Sequence, residues 1–175
     1  MKRWTIFALL LPLAGCASQP CDTPWSESRC REESLLYQND LLQAKLLIVS
    51  GDPETYELAN VLLKRAAPHD KTGETEFYKA VMLIRMGPQV DEVLELLQQA
   101  VDKGHPHATA LMYKIYAEPY LLETPDPLKA ETYRARYAEL DVAKSGYPSF
   151  EKALSLVGAL VDQPAALAGA HAPDP

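Results

Sequence analysis

Long apolar runs, clustered basic charge and glycine-rich loops are all missing from this 175-residue chain, and each absence excludes a class of function. The longest apolar stretch, from Trp4 to Leu11, is too short to cross a bilayer core of about 30 Å as a helix. The 17 basic side chains are outnumbered by 24 acidic ones, a net charge of -7, and no basic cluster is present. Phosphate backbones and anionic headgroups would repel such a surface, so the sequence argues against nucleic-acid binding and against electrostatic docking on a membrane. With 8 glycines and no nucleotide cradle, no phosphate-binding loop is expected. No six-residue stretch alternates polar and apolar residues as a half-buried strand does.

What the chain does contain starts at its first residues. Met1-Lys2-Arg3 followed by Trp4-Thr5-Ile6-Phe7-Ala8-Leu9-Leu10-Leu11 reads as a charged segment and a short apolar segment, the pattern of an export signal. Leu13-Ala14-Gly15-Cys16 then resembles the bacterial lipobox, in which the cysteine is acylated before cleavage. The resemblance implies a signal peptide over 1–15 and lipidation at Cys16, with acyl chains contributing about 0.8 kcal/mol per buried methylene. Ala17 argues for the periplasmic leaflet of the outer membrane. Without the first 15 residues the chain keeps 15 basic against 24 acidic groups, a net charge of -9. Of the three cysteines, Cys21 and Cys30 remain for an oxidising compartment, where a disulfide is the natural expectation. Residues 16–30 would then be a tether containing that loop, with Trp25 packing on the first helix.

Beyond Arg31 the apolar spacing is helical, and the prolines mark the breaks. Seven helices are expected, over 32–50, 53–67, 74–86, 90–103, 106–117, 127–145 and 148–162. Asp52 before Pro53 and Asp126 before Pro127 each place a capping acceptor ahead of a proline whose missing N–H costs nothing at a helix start. The Ala- and Pro-rich end, 163–175, has no apolar period and is expected to be disordered.

The body also repeats itself. Counting four, seven, eight and eleven residues from Gly73 reaches Phe77, Ala80, Val81 and Ile84. From Gly104 the same steps reach Ala108, Leu111, Met112 and Ile115; from Gly146 they reach Phe150, Ala153, Leu154 and Val157. Those offsets trace one face of an α-helix, so each glycine precedes a helix whose buried face stands in the same register. Leu97 and Ala100 before Gly104 match Leu140 and Ala143 before Gly146. The fold class expected is all-α, a solenoid of antiparallel helix pairs over 31–162. The segment from Leu97 to Leu111, and more weakly that from Leu140 to Ala153, resembles the Sel1-like branch of the tetratricopeptide repeats, a likeness that runs from Gly73 to Asp162. The tryptophan and Leu-Gly positions of the standard tetratricopeptide signature are absent.

Candidate chemistry is sparse. Ser149-Phe150-Glu151-Lys152 and Lys71-Thr72-Gly73 match two elements of penicillin-binding proteins and β-lactamases, but in the wrong order and without the third element or a sheet to hold them. Ser149 is better read as a helix cap. His105 and His107 flank Pro106 without a converging third ligand, so no metal site is expected; the repeat puts His105 in a turn and His107 on a solvent-facing side. Asp91, Glu92 and Glu95 read as a solvated helix start. No catalytic constellation, cofactor or small-molecule substrate is expected.

The remaining candidates are aromatic. Tyr133 and Tyr137 are one helical turn apart, and Tyr113 and Tyr116 lie on the partner helix, which suggests either core packing or an aromatic surface for a protein partner. Tyr120, Leu121 and Leu122 sit in a proline-bounded loop that either folds back or is offered to that partner. The resemblance implies an outer-membrane-anchored adaptor facing the periplasm that binds an envelope protein. A class A penicillin-binding protein is the first expected client, and an assembly role for an exopolysaccharide, pilus or secretion apparatus is the alternative; an enzyme acting on peptidoglycan or glycans is the remaining alternative.

Overall fold

A computed structural model describes residues 28–87 and 89–162. The signal segment, Cys16, Cys21, Trp25 and the 163–175 tail lie outside the described residues. Among those described there are eight α-helices and no strand: α1 (Ser28–Ser50), α2 (Tyr56–Ala66), α3 (Glu74–Met86), α4 (Val90–Asp102), α5 (Pro106–Ala117), α6 (Pro127–Glu139), α7 (Asp141–Ser145) and α8 (Phe150–Val161). Short 3-10 turns, Pro53–Thr55 and Ala67–His69, flank α2.

Successive helices pair, α1 with α2, α3 with α4 and α5 with α6, and neighbouring pairs then stack, α2 and α1 on α3, α4 on α5, and α8 on α5. This is an all-α solenoid of antiparallel helix pairs. The stacking follows from the register of the repeat. Of the twelve positions counted from the three glycines, nine are buried, and Ile84, Phe150 and Leu154 pack against the same core from partly buried positions. Fully burying a Leu, Val or Phe side chain contributes about 1.5 to 3 kcal/mol, so a shared core of this kind outweighs the modest helix propensity of its β-branched members.

The caps lie where charge and geometry require them. Asp52 Oδ1 accepts the Glu54 N–H (3.0 Å) and Asp126 Oδ1 that of Lys129 (3.0 Å), each just ahead of a proline at the helix start. Ser149 Oγ accepts the Lys152 N–H at 3.2 Å, so the Ser-x-x-Lys match is a cap on α8.

Three expectations are corrected. The helix expected over 127–145 is two helices, because Leu140 is extended and turns the chain so that Leu140 and Ala143 can pack against the core. The first helix starts at Ser28 rather than 32, so Cys30 lies inside its first turns; it is buried and disulfide-bonded. The last helix starts at Phe150, not 148, because the extended Ser149 serves as its cap.

Two charged contacts hold the helices, one within the first pair and one between units. Asp40, almost wholly buried on α1, receives two hydrogen bonds from the Arg65 guanidinium on α2, and these bonds hold its carboxyl below the usual carboxylate range. Arg85, near the end of α3, donates to the Ile48 carbonyl of α1 and to the Leu160 carbonyl of α8, at 2.6 Å from Nη2. One cation thus bonds carbonyls at two helix C-termini, where positive charge also complements the dipole.

Gly73, Gly104 and Gly146 share a φ of 82°, but only Gly73 also lacks room for a side chain. A Cβ there would stand 2.8 Å from Ala100 Cα and 2.9 Å from its carbonyl oxygen, whereas at Gly146 nothing lies within 4 Å. Gly146→Ala is expected to cost the left-handed strain alone, about 1 to 2 kcal/mol. Gly73→Ala adds an overpacking cost of about 1 to 3 kcal/mol. Urea denaturation of the two variants checks the order, and equal losses would contradict the close-approach argument.

Candidate functional site

The turn before α3 is built on one carboxylate. Asp70, 7% exposed, accepts the N–H groups of Thr72 (2.9 Å), Gly73 (3.2 Å) and Thr75 (2.8 Å). It also accepts the hydroxyls of Thr72, Thr75 and Tyr37, the last at 3.3 Å from α1. Burial alone would raise its pKa, but the donors from Thr75 and Thr72 prevail and hold the carboxyl well below the usual range. Lys103, just beyond α4, closes the junction by donating to the Asp70 carbonyl (3.2 Å) and to Glu76 (2.6 Å). The Lys-Thr-Gly match at 71–73 is therefore part of a helix-capping turn.

This turn aims Glu74 at a polar cluster shared by α1, α3 and the start of α5. Glu74 Oε2 lies 2.6 Å from Lys45 Nζ and 3.9 Å from His105 Nε2. His105 Nδ1 accepts the Ala108 N–H at 3.1 Å and so caps α5; with that nitrogen accepting, the ring proton sits on Nε2, facing the carboxylate. Burial pushes the Glu74 carboxyl up, yet the facing His105 and the Lys45 ammonium win and bring it down to about 2. The His105 ring stacks on Phe77, with centroids 4.6 Å apart. Burial, reinforced by Glu74, raises the Tyr78 hydroxyl to about 12, and Lys45 Nζ lies 4.9 Å from the centre of that ring.

His107 departs from expectation. It is half-buried rather than solvent-facing, 6.0 Å from the Phe77 ring and 5.6 Å from that of His105. Its Nε2 is buried with no hydrogen-bond partner among the described residues. Burial, and then the nearby His105, hold its pKa below the ordinary 6.5. Sequence reasoning singled out His105 and His107 but not Lys45, Glu74 or Tyr78. Glu74 and Tyr78 share a face of α3, but Lys45 comes from α1, and no local spacing signals that the two helices and His105 meet there.

The aromatic candidates form two groups. Tyr116 and Tyr133 stack in parallel, with centroids 5.8 Å apart, under the Lys129 ammonium. Tyr113 and Tyr137 each meet the edge or face of Phe150, at 5.0 and 5.2 Å. Tyr116, Tyr133 and Tyr137 are buried, which corrects their reading as a partner surface: their rings fill the space between α5, α6 and α8. Their hydroxyls stay near the rim, where Tyr133 donates to Gln98 (2.9 Å) and Tyr137 to the Pro148 carbonyl (2.7 Å). The 118–126 loop folds back. Tyr113, Tyr120, Leu121 and Leu122 pack half-buried on the core, Asp126 N–H donates to the Tyr116 carbonyl (2.8 Å), and Lys114 lies 5.4 Å from the centre of the Tyr120 ring.

On the side of the second helices, a shallow groove of about 210 Å³ lies between α2, α3 and α4. This is smaller than the roughly 300 Å³ where ligand pockets begin. Among the described residues no three His, Cys, Asp or Glu side chains come together as a metal site would require, and no helix is long and apolar enough to cross a membrane. Comparison with protein-family models, with curated proteins and with solved structures finds no match to this chain.

The cluster makes stability depend on pH with a definite sign. His107 is held neutral by the fold, so its contribution is complete above about pH 6.5 and is lost as pH falls through its depressed pKa. Glu74 contributes above about 4.5, and that contribution is lost as pH falls toward 2. The urea midpoint of the native chain is expected to decline in two stages on acidification, with His107→Leu abolishing the first stage. A midpoint constant from about pH 7 to 5 would refute the assignment.

Proposed function

We propose that the chain is an adaptor of the bacterial cell envelope, a tetratricopeptide-type lipoprotein of the Sel1-like branch, anchored through acylated Cys16 on the periplasmic side of the outer membrane. What supports this reading is a helix-pair solenoid in a chain whose Leu13-Ala14-Gly15-Cys16 resembles a lipobox behind a charged and then apolar segment. Stacked helix pairs offer an extended face rather than a closed pocket, which suits recognition of a protein segment.

The face favoured for the partner is the one shared by α1, α3 and α5. Lys45, Glu74 and Tyr78 are partly exposed there, so an incoming chain would find a cation, a carboxylate and an aromatic ring side by side. Tyr78 adds amphipathic area at a small entropy cost, as anchor residues do. A peptidoglycan synthase of the class A penicillin-binding type is the client we favour, on the analogy of size and architecture alone. The net charge of -9 after removal of the signal favours a client with a basic surface and an association that weakens as salt rises.

Two measurements test this reading. Cys16→Ala is expected to move the chain from the membrane fraction to the soluble periplasm, and an unchanged distribution would contradict the anchor. Crosslinking in intact cells is expected to recover an envelope protein whose yield falls at least tenfold in Lys45→Glu combined with Tyr78→Ala, the loss of about 1.4 kcal/mol or more that hot-spot truncation produces. A yield that is unchanged while the variant stays folded would remove this face from consideration.

A further inference from the structure

Helix α1 is apolar on two sides, and only one of them is used by the fold. Leu41, Ala44 and Ile48 are buried against the neighbouring helices. On the opposite side Leu35 (51% exposed), Leu42 (58%), Leu46 (62%) and Val49 (41%) face outward, with exposed Asn39 between them. In a solenoid the terminal unit normally turns a polar face to solvent; here it turns a row of leucines.

The spacing of that row identifies its occupant. Positions 35, 39, 42, 46 and 49 alternate steps of four and three, the seam of a two-stranded coiled coil with Leu35, Leu42 and Val49 at d and Asn39 and Leu46 at a. We propose that this seam binds the same seam of a second copy of the chain, with the two α1 helices parallel. A single asparagine at a tends to fix register and a two-stranded state, because it is satisfied when it meets its own equivalent. In the isolated chain the Asn39 side chain is bonded only locally, its Oδ1 accepting from Gln43 at 3.0 Å.

Charge selects a copy over a foreign partner. The positions flanking the seam, which set partner choice in coiled coils, are Leu36, Gln38, Gln43, Lys45 and Ser50. None is acidic, and Lys45 is already paired with Glu74. An acidic chain can therefore bring this face against itself without opposing like charges, and the face offers no charge code for a heterologous helix. The seam is about 21 Å long at 1.5 Å per residue, short for a free coiled coil. Because α1 is already held helical by its own domain, no helix has to form on pairing. A dimer of modest affinity results, on the order of micromolar. The inference does not depend on where the chain is anchored or on which client it serves.

Sedimentation equilibrium of the full chain in mild detergent, over a concentration series, tests the proposal. The expected result is a reversible dimer of twice the chain's mass. Leu42→Glu combined with Leu46→Glu should weaken it at least tenfold with an unchanged helical circular dichroism spectrum, and Asn39→Leu should add higher oligomers. Val49→Cys should crosslink to its own equivalent on oxidation, which a parallel pair allows and an antiparallel pair does not; this decides the matter if the glutamate variant fails to fold. A chain that is monomeric throughout overturns the proposal, as does a dimer indifferent to the glutamates.

Discussion

Gly73 and Ala100 touch backbone to backbone, with no room for a methyl group between them, and much of the molecule is arranged around that contact. It brings the start of α3 against the end of α4. From the same spot the His105 N–H returns to the Ala100 carbonyl at 3.0 Å, so the start of α5 is set by the same few residues. Asp70 and Lys103 then close the junction from either side with charge-assisted hydrogen bonds, which are stronger than neutral ones. A shift of this contact would displace the Asp70 turn, Glu74 and the His105 cap together.

At the other end of these helices the organising group is a cation. Arg85 gathers the C-terminal carbonyls of α1 and α8, and Lys114 on α5 bridges Glu118 (3.0 Å) and Asp162 (3.4 Å) nearby. The starts of α3 and α5 are therefore fastened by a buried carboxylate and a histidine, and the C-terminal ends of α1, α5 and α8 by basic side chains. That division follows the sign of the helix dipole. It also explains how a chain with an acidic excess remains compact: the scarce basic groups are placed where carbonyls and carboxylates converge.

Much of the fold was legible in the amino acids because its signals are local and periodic. The steps of four, seven, eight and eleven from Gly73, Gly104 and Gly146 name three buried helix faces correctly, since residues one and two turns apart must share a side of a helix. The caps at Asp52, Asp126 and Ser149 were equally readable, each depending on a side chain and an N–H two or three residues away. The break at Leu140 was not. An extended leucine between two helical segments carries no proline or glycine to announce it, and only the packing of Leu140 and Ala143 explains it. The polar cluster was invisible for a similar reason, as Lys45, Glu74 and His105 approach one another across 29 and 31 positions of sequence.

The sequence by itself therefore determined the helices, their pairing into an all-α solenoid and the acidic balance of the chain, because composition, capping and helical period act over a few residues. Only the tertiary structure decided which apolar and aromatic residues are available. It buried Tyr116, Tyr133 and Tyr137, drew His107 in beside Phe77, folded back the 118–126 loop and left the Leu35–Val49 row of α1 uncovered. The physical reason is that a helix with two apolar sides has no local preference for which side to bury. The neighbours that stack on it make that choice, and the side they leave open is where the chain can meet another.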